Sequence, residues 1–282
     1  MNHSQIIETT PVSTQNSVTA KDGTRLFVQD WGSGCPVVFV AAWAFNSNVW
    51  GSHIAALTGL GFRCVAPDRR GHGRSDAPGT GYDLDTLTDD LAEVMEQLDL
   101  RQVVLVAHSM GSIEAVRYCA GYGMDRVSRL VLAATVTPYL TRTADNPEGI
   151  PSEAIQAQND AIAKDYPKWI AENEAPFFTP DTVAETRNWI KAMMRGVPLP
   201  VALACRRTIA AADLRADLGR IERPTLIVHG DNDASAPVAI TGARTARLIA
   251  NCRFNIYEDA PHAIVLTHRD RFISDILEFI AE

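Results

Sequence analysis

The sequence predicts an α/β fold: a mostly parallel, eight-stranded sheet with helices on both faces and a helical cap inserted before the sheet resumes. Three observations predict it. Short apolar, β-branched runs alternate with amphipathic stretches at helical spacing, the pattern of repeated β-α units. One of those runs, Val103 to Ala107, passes through His108-Ser109-Met110-Gly111-Ser112 straight into a helix. Two later runs end in loops that carry first an aspartate and then a histidine.

Taken in order, roughly the first fifteen residues form a polar lead, expected to be mobile and without the apolar segment of a secretory leader. Asn16 to Trp31 carries two short strands around Asp22-Gly23, a hairpin signal because glycine accepts the left-handed φ of tight turns. Val37 to Ala41 reads as strand, Val49 to Leu60 as helix and Arg63 to Ala66 as strand. Leu84, Leu87, Leu91, Val94, Met95 and Leu98 share one face of a helix spanning Leu84 to Leu98. After the serine-bearing strand and the helix opened by Ile113-Glu114-Ala115-Val116-Arg117, Arg129 to Ala134 is again strand.

From Val136 to about Ala212 the strand pattern stops. Glu153–Asp165, Pro167–Glu174, Thr182–Gly196 and Leu199–Ala211 read as amphipathic helices. A structureless connection of that length does not fit a compact domain. Residues 136–212 are therefore expected to form a helical cap over a core built from 1–135 and 213–282. The alternation resumes with strand Thr225–Gly230, helix Ala239–Ile249, strand Arg253–Tyr257 and helix Arg269–Ala281.

Composition bounds the partners. With 282 residues, 46% hydrophobic and 21% charged, the chain can bury a sizeable core. A net charge of −8 without any lysine or arginine cluster opposes binding to a phosphate backbone, so no nucleic-acid partner is expected. No segment approaches the roughly 18 apolar residues of a membrane span, so no membrane partner is expected either. Cys35, Cys64, Cys119, Cys205 and Cys252 are odd in number, scattered and free of C-x-x-C spacing. That points to reduced thiols in a cytoplasmic protein, with neither a disulfide framework nor a zinc site. A small-molecule substrate is the expected partner; no cofactor and no metal is expected, and homo-oligomerisation is open.

The chemistry lies in the turn and the two later loops. A serine on a sharp strand-to-helix corner projects its Oγ above the sheet edge, while the next backbone N–H and the helix N-terminus face the same space. A serine hydroxyl is a poor nucleophile until a base lies within hydrogen-bond reach, and the base needs a carboxylate to hold its tautomer. Ser109 is followed by the loop Asp231-Asn232-Asp233 and then by Glu258-Asp259-Ala260-Pro261-His262. The order Ser, Asp, His places all three after strand C-termini, on the edge where open α/β sheets bind ligands. Either Asp231 or Asp233 could be the acid, His262 is the base, and the Met110 N–H on the corner is an oxyanion donor. His108 flanks the serine with its side chain pointing away, a structural position. His72 and its neighbouring arginines lack the third glycine of a phosphate-binding fingerprint and read as a packed loop. Trp43, Phe45, Tyr139, Ile264 and Val265 could line an apolar pocket; Trp43, Ile264 and Val265 lead because they stand beside the catalytic loops.

On these residues the chain resembles the α/β-hydrolases, and within them the bacterial cofactor-free haloperoxidase and aryl-esterase group. The resemblance spans nearly all of the chain except the lead and much of residues 136–212. It rests on Ala107-His108-Ser109-Met110-Gly111, on Asp68-Arg69-Arg70-Gly71-His72-Gly73-Arg74-Ser75 and on Ala260-Pro261-His262-Ala263-Ile264-Val265-Leu266-Thr267-His268. It implies the α/β-hydrolase fold, Asp233 as the acid and Trp43 as the second oxyanion donor. Two departures stand out: Ala107 replaces the first glycine of G-x-S-x-G, and Ala41-Ala42 replaces the His-Gly pair before Trp43. Alanine resists positive φ, so the second departure is expected to disturb the oxyanion loop.

The function expected is a serine hydrolase that cleaves small apolar carboxylic esters or lactones through an acyl-enzyme. A cofactor-free perhydrolase or haloperoxidase, an amidase or γ-lactamase, and a C–C bond hydrolase share the triad; a ligand receptor on a hydrolase fold is the non-enzymatic alternative. The resemblance also implies that perhydrolases carry a proline directly after the oxyanion donor. Ala44 stands there, so hydrolysis is expected to dominate and Ala44→Pro to raise perhydrolysis.

Overall fold

The computed structural model describes residues 17–282; the expected mobile lead lies outside them. Eight strands make one sheet: β1 (Ser17–Thr19), β2 (Arg25–Gly32), β3 (Pro36–Val40), β4 (Arg63–Pro67), β5 (Val103–His108), β6 (Val127–Ala133), β7 (Thr225–Gly230) and β8 (Cys252–Tyr257), in the order β1-β2-β4-β3-β5-β6-β7-β8. β2 pairs antiparallel with both β1 and β4, and every other pairing in the sheet is parallel. The hairpin turns at Gly23, whose φ of +87° needs a residue without Cβ.

The chain steps from β3 outward to β4 and then crosses back to β5 on the other side of β3. The strand order therefore reverses between β3 and β5, and the loops leaving these two neighbours diverge to open a crevice. β5 and β7 are buried at every position, as strands covered on both faces must be. Period two divides the side chains of the central strands β3, β5 and β6 between two apolar layers. Val38, Val40, Leu105, Leu130 and Leu132 face one layer; Val37, Phe39, Val104, Val106 and Val131 face the other.

The helices are α1 (Gly51–Gly59), α2 (Leu84–Gln97), α3 (Gly111–Gly121), α4 (Ser152–Lys164), α5 (Tyr166–Glu172), α6 (Ala184–Arg195), α7 (Leu199–Ala211), α8 (Arg215–Leu218), α9 (Gly242–Leu248), α10 (Ile264–Thr267) and α11 (Arg269–Ala281). α2 begins where Asp83 accepts a hydrogen bond from the Thr86 N–H, satisfying an otherwise orphaned donor. Several helices are shorter than expected, and two of them show why. The one anticipated from Val49 starts as a 3-10 turn, Ser47–Trp50, with Asn46 capping it. The one anticipated from Ala239 starts at Gly242, because the Thr241 hydroxyl bonds back to the carbonyls of Ala236 and Pro237 and holds a turn there. Between β6 and β7 the chain adds no strand to the sheet and builds α4 to α8, together with a 3-10 turn at Ala175–Phe177. Among the described residues no helix is long and apolar enough to cross a membrane.

Candidate active site

Ser109 follows the last residue of β5 and holds φ at +52°, a conformation that L residues adopt only when their surroundings impose it. Its N–H donates to the Ala133 carbonyl at 2.9 Å, while its own carbonyl accepts from the Ser112 N–H and hydroxyl. The turn is thus tied to β6 on one side and α3 on the other. The two glycine positions of the motif are not equivalent. Ala107 is fully buried without a positive φ, so a methyl group fits there. A Cβ on Gly111 would stand 2.5 Å from the Val40 carbonyl, so α3 approaches β3 only because that glycine is bare.

His262 lies with Nε2 2.8 Å from the Ser109 Oγ and Nδ1 2.7 Å from Asp233 Oδ2. A carboxylate accepts, so Nδ1 carries the proton and Nε2 keeps the lone pair that can take one from the serine. Asp233 is buried, whereas Asp231 is exposed and makes no contact with His262. Oδ1 of Asp233 accepts from the Ser235 and Ala236 N–H groups at 2.9 and 2.8 Å, and His229 Nε2 stands 3.2 Å from Oδ2. Burial alone would raise the carboxyl pKa. The neighbouring His262, with the His229 and His262 hydrogen bonds, outweighs it and holds Asp233 well below the usual carboxylate range. His229 also donates to the Ala236 carbonyl at 2.8 Å, locking the loop that presents the acid. His108, behind Ser109, bonds through Nε2 to the His262 carbonyl at 3.0 Å. Burial, then the proximity of His262, pulls its pKa down to about 3, so it braces the base loop as a neutral ring.

The loop after β3 explains how Ala41-Ala42 can replace His-Gly. Neither alanine has a positive φ; the left-handed residue is Ala44, at +59°. The expected disturbance at Ala41 and Ala42 is therefore absent, and proline, locked near −65°, cannot occupy position 44 in this loop. An Ala44→Pro chain must therefore reshape this loop to accept the ring. The loop is held instead by Arg69, whose Nη2 and Nη1 donate to the Ala41 and Ala42 carbonyls at 2.7 and 3.2 Å. Its Nε donates to Glu114 of α3 at 2.7 Å, a buried ion pair. The Ala42-Trp43 peptide is trans, so anchoring its carbonyl on Arg69 sends the Trp43 N–H the opposite way. Among the described residues neither the Trp43 nor the Met110 N–H has a hydrogen-bond partner. The arginine-rich loop is indeed packed: Arg70 is clasped by Asp90 and Asp22, and His72 bonds to the Arg70 carbonyl.

A cavity of about 290 Å³ opens over this group, lined by Ser109 and His262, by Trp43 and Phe45, and by residues of α4 to α7. Its size suits a small organic molecule. Ile264 and Val265 do not line it. Both are fully buried in the apolar layer with Trp50 and Phe272, because the chain enters α10 directly after Ala263 and the helical turn carries their side chains under the sheet. Tyr139 lies outside it as well, beneath the Arg215 guanidinium. The helical segment supplies what sequence reasoning missed: Phe177, edge-on to His262 with ring centres 5.4 Å apart, Trp169 and Arg206. Trp169 and Arg206 lie in helices the sequence predicts and Phe177 in a 3-10 turn it does not, and which face turns inward was not legible. No group of three or more His, Cys, Asp or Glu placed to hold a metal occurs among the described residues.

Residues 36–269 match the family described as alpha/beta hydrolase fold. A non-heme chloroperoxidase of Kitasatospora aureofaciens is 35% identical over 271 residues, which are 93% of this chain and 98% of that protein. A bifunctional esterase/perhydrolase of Acinetobacter calcoaceticus is 35% identical over 275 residues, with the same shares of 93% and 98%. The solved structure of an esterase from Exiguobacterium antarcticum superposes with a TM-score of 0.91 at 30% identity, covering 95% of this chain and 99% of that one. Likeness at this level runs through core and inserted helices alike, and the chain belongs to the α/β hydrolase fold family.

Proposed function

We propose that the protein is a serine esterase acting on small carboxylic esters or lactones. The relay Ser109–His262–Asp233, with contacts of 2.8 and 2.7 Å inside the cavity, carries the reading. His262 takes the Ser109 proton as Oγ attacks the carbonyl carbon, and the Met110 and Trp43 N–H groups receive the oxyanion, each contributing ~10²–10³ in turnover. Collapse of the intermediate expels the alcohol with the proton returned by His262. The same imidazole then deprotonates water, which releases the acid from the acyl-enzyme. The helices of 136–212 act as the cap that shapes the acyl and alcohol sites. The loop at Ala41-Ala42, with neither alanine at positive φ and both carbonyls held by Arg69, supports a working oxyanion hole over a receptor.

The name of the Acinetobacter relative supports a second reading, in which hydrogen peroxide replaces water and the acyl-enzyme yields a peracid. Both share the first half-reaction, so Ser109→Ala should abolish p-nitrophenyl ester turnover and fluorophosphonate labelling while circular dichroism stays native. Wild-type labelling in that variant would refute the nucleophile. Partition of acetate-derived acyl-enzyme between water and peroxide decides the rest: hydrolysis should dominate, and dominant peracid formation would favour the second reading.

A further inference from the structure

Arg206 is a cation with no anion. It projects from α7 into the cavity wall, where its guanidinium carbon lies 5.4 Å from the Trp43 ring centre and 5.7 Å from that of Trp169. Its Nε donates to Asn159 Oδ1 and its Nη2 to Gln158 Oε1, both at 2.7 Å, and both acceptors are neutral amides. Nη1 has no partner, and no carboxylate pairs with this side chain among the described residues. The two buried guanidiniums are neutralised, Arg69 by Glu114 and Arg70 by Asp90, whereas half-buried Arg206 is left with neutral partners beside the cavity. The remaining charges on the cavity wall cancel, since Lys191 pairs with Glu174 at 2.8 Å. Burial pulls the Arg206 pKa down to about 10, as expected of a charge without compensation, yet leaves it cationic at neutral pH.

We propose that Arg206 anchors an anion subsite, so that the preferred substrate is an ester or lactone whose skeleton carries a second, ionised carboxylate away from the scissile bond. This deepens the esterase reading and rests on it. A half-buried cation gains from a charge-assisted hydrogen bond that the free protein does not supply. The Trp43 and Trp169 rings flank the guanidinium, and two of its three nitrogens are already engaged. The free edge at Nη1 suits the single oxygen of a carboxylate better than a phosphate, which needs more donors. Position adds to chemistry. Trp43 Nε1 donates to the Ala202 carbonyl at 2.9 Å, one turn before Arg206, so the cation is fastened to the residue proposed to hold the oxyanion. Ile209 continues the same face of α7 into the cavity and gives the intervening chain an apolar wall.

The test compares monomethyl esters of glutaric, adipic and suberic acid with methyl alkanoates of equal chain length. In the wild-type enzyme the kcat/KM ratio of half-ester to alkanoate should exceed about tenfold for at least one length. It should fall towards one in Arg206→Gln and be largely kept in Arg206→Lys, which retains the charge if glutamine perturbs the fold. Binding is read separately in Ser109→Ala by quenching of tryptophan fluorescence, Trp43 and Trp169 being the reporters. Equal binding of half-ester and alkanoate, no binding of either, or a preference that survives Arg206→Gln overturns the subsite even if the enzyme is a good esterase. Preferential binding of the half-ester without wild-type hydrolysis of either ester keeps the subsite and overturns the esterase reading.

Discussion

Within the relay, the residue with most donors is the acid. Asp233 accepts from two backbone N–H groups and one histidine on each side of its second oxygen, and is buried while doing so. Such a carboxylate stays ionised far into acid, so loss of the Asp233 charge should not limit activity in mildly acidic buffer. Asp233→Asn keeps the shape but presents an amide NH₂ or carbonyl to His262, destabilises the imidazolium and admits the wrong tautomer. Turnover of p-nitrophenyl esters should fall by ~10⁴, the loss known for this change in a serine protease triad. Asp231→Asn, exposed and without contact to the base, should change kcat less than about twofold. The reverse ranking would move the acid to Asp231.

Two loops and a helix meet at Arg69, and the consequence is legible only at the level of elements. The side chain leaves the loop after β4, bonds the carbonyls after β3 and ends on Glu114 of α3, so the oxyanion loop and the serine turn share one support. Arg69→Met should lower kcat for ester hydrolysis by roughly 10–100-fold with little change in KM, because the Trp43 N–H loses its aim in the transition state. It also strands a buried carboxylate, at a cost of about 3–5 kcal/mol. Arg69→Met combined with Glu114→Gln should recover most of that stability in urea unfolding without recovering kcat. Joint recovery of both would reduce Arg69 to a purely structural role.

For the whole molecule, buried neutral histidines set the acid limit. Burial lowers His53, among Phe39, Trp50 and Phe272, to about 4, and lowers His72 and His108 each to about 3. In the unfolded chain each takes up a proton near pH 6.5, whereas the folded chain does so only at about 4 for His53 and about 3 for His72 and His108. Between those limits the unfolded state binds more protons, so stability falls as pH falls, by about 1.4 kcal/mol per unit for each ring. Asp233 acts in the same direction further into acid. Urea unfolding at pH 7, 6 and 5 should show a slope of about 4 kcal/mol per unit below pH 6. His53→Phe, which keeps an aromatic ring among aromatic neighbours, should remove about a third of it. A stability flat from pH 7 to 5 would show these rings to be protonated in the fold.

The strand runs, the Ser109 corner and the order of acid and base were legible in the sequence because each is local. Period-two burial, a serine between strand and helix and the spacing of loops leave their mark within about ten residues. Ala107 and the Asp231/Asp233 choice were legible once the resemblance supplied a register. The pocket was not. Ile264 and Val265 stand two and three residues from the base, yet one helical turn carries them into the core, while Arg206, Trp169 and Phe177 arrive from helices far along the chain. The fate of Ala41-Ala42 was equally hidden, since it depends on a guanidinium reaching across from the next loop. Side-chain chemistry and local periodicity are properties of neighbouring residues and can be read from them. Which face of a helix meets a cavity, and which charge is left without a partner, are properties of the packed molecule and are decided only when distant segments meet.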